Sequence, residues 1–176
     1  MINNGVRSVR IVGIDPGLEI TGYGCITSSD AQTVLIEAGV IRTKKSHDLV
    51  NRLYELYFQF SQVLADFNPD VVAIEELYAH YNHPRTAIIM GHARGALLLA
   101  AGQRSIPVQS YSANRIKKSL TGNGHAAKEQ MQRMIMNMLK LDQPPSPPDV
   151  ADAIAVALCH CNTVNSRFCG IPHCGI

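Results

Sequence analysis

The segment Val71–Glu75, VVAIE, sets four apolar residues in a row and closes them with a carboxylate, without any polar residue alternating between them. A strand with one wet face alternates polar and apolar side chains, so an unbroken, β-branched run predicts a strand covered on both faces. A sheet with helices on each side supplies that cover. The flanking segments agree. Between Val9 and Thr43 the chain reads VRIVGID, TGYGCIT and TVLIEAGVI, separated by DPGLE and SSDAQ, which predicts an antiparallel meander. Leu49, Leu53, Leu56, Phe60, Val63 and Leu64 then recur at steps of three and four, with Ser46 as the expected N-cap and Asn68-Pro69-Asp70 as the stop. A helix is expected after Pro84, carrying Ile88, Ile89, Ala93, Leu97 and Leu98, and PVQSYS gives a further strand. Two helices follow around Arg115–Leu120 and Ala127–Leu141. The stretch QPPSPPD reads as a stiff connector into a last helix, DVADAIAVALCH, with Pro148 at its first turn. The order βββαβαβα predicts an α/β fold with a mixed five-stranded sheet and helices on both faces.

With 176 residues, 46% of them hydrophobic and 17% charged, the chain is expected to form a single domain. Its core spans about residues 9–164, and a tail of about residues 165–176 has no assigned role. Lys plus Arg number 16 against 14 Asp plus Glu, a net charge of +2, so any attraction to nucleic acid has to come from a local basic patch. Met1 to Ser8 lack the apolar core of a secretory signal, and no stretch reaches membrane-spanning length; a soluble, cytoplasmic protein without membrane contact is expected. Cys25, Cys159, Cys161, Cys169 and Cys174 follow no disulfide framework and read as reduced thiols. Cys159, Cys161, Cys169, His173 and Cys174 hold enough soft ligands for zinc, but their spacing matches no strong motif, and ordinary thiols are expected.

Four carboxylates stand out from this frame. Asp15 ends one apolar strand, just before Pro16-Gly17, and Glu75 ends another in the same sense. Asp149 and Asp152 are three apart at the start of a helix, which puts them on one face, where the helix N-terminus tolerates their charge. Taken singly, an Asp before Pro-Gly is a turn former and Asp149 a cap. A carboxylate closing VVAI is harder to dismiss, because its burial is costly unless it is paired or metal-bound. Glu76, next in line, should point to the opposite face and into solvent. Together the four acids would repel one another unless a cation offset them. All-oxygen ligation selects hard ions such as Mg²⁺ or Mn²⁺, and two of them roughly 3.5 to 4 Å apart perform phosphodiester hydrolysis.

IVGIDPGLEITGYG, VVAIEELY, GHARGALLLAA, IKKSLTGNGHAAKEQM and DVADAIAVALCH, in this order, resemble the RuvC family of Holliday-junction resolvases. The resemblance runs from about Arg10 to His160. It implies an RNase H-like fold, a homodimer, two Mg²⁺ per active site with Mn²⁺ as a substitute, and paired symmetric nicks across four-way DNA junctions in recombination and repair. It also implies the RuvA and RuvB branch-migration proteins as partners. The family's acidic pattern falls on Asp15, Glu75, Asp149 and Asp152. By this resemblance Asp15 and Asp152 are the most direct metal ligands, Glu75 bridges toward the water, and Asp149 ligates or acts as a base. The family's substrate-binding lysines match Lys117 and Lys128, while Lys118 reads as solvated. Arg85, after the Asn82-His83-Pro84 turn, is a further phosphate candidate. Tyr78 stands where the family commonly has Phe, and is expected to stack on a base at the junction centre. Ala87, Gly91 and Gly95 form a small-residue stripe suited either to the two-fold interface or to close packing on the chain's own sheet.

Two rivals share parts of this pattern. Asp15, Gly17, Thr21 and Gly22 also fit the phosphate hairpin of the actin, Hsp70 and sugar-kinase phosphotransferases, but the chain supplies only one of their two halves. A related RNase H-like nuclease acting on RNA, or a binding module without activity, would keep the fold and change the task. Two-metal chemistry needs only a phosphodiester, so the acids alone leave RNA open.

Overall fold

The computed structural model describes residues 8–29, 31–77 and 84–168, with side chains through residue 164. Tyr78, Cys169, His173 and Cys174 lie outside the described residues. The elements run β1 (Val9–Asp15), β2 (Ile20–Ser28), β3 (Thr33–Arg42), α1 (Leu49–Phe67), β4 (Val71–Glu75), α2 (Pro84–Gln103), β5 (Val108–Tyr111), α3 (Ala113–Thr121), α4 (Lys128–Leu139) and α5 (Pro148–Phe168). One mixed sheet has the order β3-β2-β1-β4-β5. β1, β2 and β3 form the expected meander, and β4 and β5 join it in parallel.

The sheet divides two cores. Val12, Ile14, Val72 and Ile74 pack with Leu56, Phe60 and Leu64 of α1 and with Ala93 and Leu97 of α2. On the other face Ile11, Val71 and Ala73 meet Ile116, Ile135, Ile154 and Leu158 of α3, α4 and α5. The unbroken apolar run of β4 is therefore explained, since its odd and even residues belong to different cores. α5 is itself buried nearly all round, from Val150 to Cys161 with only Asp152 half-exposed, as expected of a helix lacking a polar face. Each of Ile154, Val156 and Leu158 contributes roughly 1.5–3 kcal/mol by burial. Three strand glycines let α5 come close. A Cβ at Gly13 would collide with the carbonyl oxygen of Ala153, one at Gly22 with that of Asp149, and one at Gly24 would sit 2.7 Å from Ile154 Cγ1.

Two details differ from expectation. α1 is capped by Asp48, whose Oδ1 accepts the Asn51 N–H at 2.8 Å, not by Ser46. Ser46 falls in the preceding turn, closed by His47 N–H to Lys44 O, and so stands too early to reach the first free amides. The buried stripe of α1 runs Leu56, Phe60, Leu64, Phe67, leaving Leu49 38% exposed. α1 ends where expected, at Asn68, with φ 48° and its N–H donated to Leu64 O. Cys25, Cys159 and Cys161 are buried and outside any disulfide among the described residues. Among the described residues no helix is long and apolar enough to cross a membrane.

Candidate active site

Strand parity and register place the first two acids. Residues alternate faces along a strand, so Asp15 shares the α5 face with Ile11 and Gly13, and Glu75 shares it with Val71 and Ala73. β1 and β4 are parallel neighbours with Ile14 opposite Ile74, so the next residue on each, Asp15 and Glu75, emerges at adjacent strand ends. The turn after Asp15 is cinched by buried Thr21, whose hydroxyl donates to Gly17 O at 2.5 Å and accepts Gly17 N–H at 3.1 Å. The Thr21 hydroxyl, one element of the phosphotransferase reading, is thus committed to the turn itself.

α5 brings the remaining acids from above the sheet. Asp152 faces the cleft that Asp15 and Glu75 line, together with Lys117 of α3 and Lys128 of α4. Ala113, Ile116, Ala126, Met131 and Ala155 complete a cavity of about 300 Å³. Asp149, one turn earlier and half-buried, stands at the rim outside this lining. Burial, then repulsion from Glu75, Asp152 and Asp149, raises the Asp15 carboxyl from 3.8 to about 7. Glu75 is raised by burial and then by Asp152. Asp152 is raised by burial and by Asp149, against the lowering pull of Lys128 and Lys117. Lys128 Nζ lies 3.8 Å from Asp152 Oδ2.

This donor set fits a hard divalent cation: three carboxylates around one cleft, each held above its ordinary pKa, are short of positive charge. Among the described residues no three such side chains are already drawn onto one point.

The RuvC crossover junction endodeoxyribonuclease family model matches residues 11–160. A relative from Rhodopirellula baltica, named crossover junction endodeoxyribonuclease RuvC, is 48% identical over 149 residues, covering 85% of this chain and 84% of its own. One from Thermosipho melanesiensis with the same name is 42% identical over 160 residues, covering 91% and 100%. The Thermus thermophilus RuvC structure in complex with Holliday junction substrate superposes with a TM-score of 0.84 at 32% identity, covering 90% of this chain and 96% of that one. The chain belongs to the RuvC family. It is therefore a crossover junction endodeoxyribonuclease, a nuclease of recombination and repair, and its α/β sheet is the RNase H-like fold of the RuvC structures.

In this RuvC-family chain the cleft gathers five of the eight expected site residues: Asp15, Glu75, Asp152, Lys117 and Lys128. Asp149 is coupled to them by charge alone. Arg85 is exposed on the first turn of α2 and does not line the cleft. Glu76, the first residue past β4, is exposed. The apolar wall of Ile116 and Met131 was absent from the sequence reading. Its signal was the buried stripes Ile116/Leu120 and Met131/Ile135/Leu139, which read as core and here also reach the cleft.

Proposed function

We propose that this chain resolves four-way DNA junctions as a homodimer, by metal-dependent phosphodiester hydrolysis with two Mg²⁺ per active site, Mn²⁺ substituting. The observation that carries the reading is the convergence of Asp15, Glu75 and Asp152 on one cleft flanked by two lysines. Asp15 and Asp152 would hold the ions, Glu75 would face the water side, and Asp149 would serve from the rim. Bound Mg²⁺ would supply an activated water and stabilise the leaving oxygen. Lys117 and Lys128 would hold backbone phosphates at the mouth of the cleft. Tyr78 would stack on a base at the exchange point, and Arg85 would contact an outlying phosphate.

The dimer reading is supported by α2. Gly91 and Gly95 are exposed, and a Cβ at either meets nothing within 4 Å, so this stripe is not spent on the chain's own sheet. Ile88 on the same helix is 61% exposed. A second copy laid against α2 would cover them and set two clefts about a two-fold axis. The full reading places a single-domain nuclease in the cytoplasm, working with the RuvA and RuvB branch-migration proteins.

The test is cleavage of a synthetic four-way junction beside linear duplex and RNA/DNA hybrid, with Mg²⁺ or with chelator. Paired symmetric nicks in the junction alone, dependent on the metal, are expected. Preferential cutting of the hybrid would replace the junction with RNA as substrate.

A further inference from the structure

A second groove lies on the outer flank of α3, separate from the catalytic cleft. Arg115 and Lys118, three apart and therefore on one helical face, form one wall, and Asn123 and His125 of the following loop form the other, with Asn114 at the end. Every polar side chain in this lining can donate a hydrogen bond, and none is a carboxylate. In the cleft Lys128 sits against Asp152; among the described residues neither Arg115 nor Lys118 has a carboxylate partner. Several contacts fix the groove's shape. Asn123 N–H donates to Thr121 Oγ1 at 3.1 Å, and Asn123 Oδ1 accepts His125 N–H at 3.0 Å, so the side-chain oxygen is engaged within the loop and the amide nitrogen is the group that can donate. The Arg115 guanidinium is seated 5.0 Å over the Tyr111 ring, so part of its ordering is already complete. Gly122, with φ 77° and open space where a Cβ would stand, exposes backbone at the groove.

We propose that this groove binds the phosphodiester backbone of the DNA strand that leaves the catalytic cleft, with Arg115 and Lys118 as its phosphate contacts. The inference rests on the junction reading above and extends it beyond Lys117 and Lys128. Continuity decides the occupant. His125 lines the groove and Ala126, the next residue, lines the cleft, so one loop separates the two, and a strand passing Lys128 crosses it directly. A polyanion with a charge about every 3.4 Å along each strand can meet both basic sites at once, which a single small anion cannot. Lys118, read from sequence as a solvated neighbour of Lys117, thereby acquires its own task on the adjacent face of the same helix.

The experiment measures junction affinity against salt for the full chain, for Lys118→Gln and for Arg115→Gln/Lys118→Gln, after thermal melts establish that each variant is folded. Each lost phosphate contact should lower the slope of log Kd against log salt by about 0.9, hence by roughly 1.8 in the double variant. Junctions carrying one neutral methylphosphonate link, walked along the arm beside the crossover, give the second readout. One position should weaken the wild type and leave the double variant unaffected. If the wild type binds and cuts the junction while the variants keep its slope, or respond to every neutral link as it does, the groove is not a backbone site. Failure of the wild type to bind the junction would overturn the junction reading itself.

Discussion

Replacing Asp15 by Asn is expected to make the metal-free protein more stable while removing its cleavage activity. Burial and three neighbouring carboxylates raise the Asp15 carboxyl from 3.8 to about 7. Below pH 4 the acid is protonated in folded and unfolded chains alike, and the shift has no effect. Between pH 4 and 7 the unfolded chain releases the proton and the folded chain keeps it, so folded wild type loses stability as pH rises; above 7 the loss is complete. A shift of this size corresponds to about 4 kcal/mol at 1.36 kcal/mol per unit, on the order of 10 °C in melting temperature for a chain this long. The neutral Asn side chain escapes that loss. Melting curves of both proteins in chelator, from pH 4.5 to 8.5, should therefore diverge with rising pH, the variant ending higher. Saturating Mg²⁺ should then raise the wild type by about 2.7 kcal/mol at a hundredfold excess over Kd and raise the variant far less. A difference that stays flat across this range, or an equal gain from Mg²⁺ in both proteins, would refute the electrostatic account of the site.

Lys117→Ala and Lys128→Ala should each weaken junction binding and flatten its salt dependence by about one unit of slope, read by titration at several salt concentrations. Gly95→Leu places a branched side chain in open space on α2, so the monomer fold should survive while dimerisation weakens, as sedimentation velocity would measure; an undisturbed dimer would move the interface elsewhere. Gly13→Ala drives a methyl into the backbone of α5 and should cost at least about 1–3 kcal/mol, seen as a lower denaturation midpoint. Tyr78→Ala should lose most cleavage of fully paired junctions and regain part of it on substrates already unpaired at the crossover, whereas Tyr78→Phe should cut both.

The sheet was legible because its signals are local. VVAIE announces a strand covered twice, and alternation along VRIVGID assigns Val12 and Ile14 to one core and Ile11 to the other. Asp15 and Glu75 were legible because each closes an apolar strand run; that they share one face follows only from the parallel register that sets Ile14 opposite Ile74. The differing roles of Asp149 and Asp152 were not. Their spacing places them on one helical face, but which of them enters the cleft depends on how far α5 slides along the sheet, and that is set by contacts at Gly13, Gly22 and Gly24. The Asp48 cap was obscured because Ser46 and Asp48 are both capping residues two positions apart, and only the first helical residue chooses between them. The groove beside α3 was hidden because adjacent lysines look equivalent in a string, although a helix turns them about 100° apart.

The close seating of α5 on β1 and β2 ties Asp15 and Asp152 to the same backbone contact, whereas Lys117 and Lys128 stand on the shorter α3 and α4 outside it. Amide hydrogen exchange should divide the molecule along that line. Protons of β1 and the middle of α5 should leave only through global opening, and those of α3 and α4 through smaller excursions. If Lys117 and Lys128 hold DNA as proposed, that grip would breathe many times while the spacing of the acids stays fixed, and a bound strand would be repositioned without the acids being rebuilt.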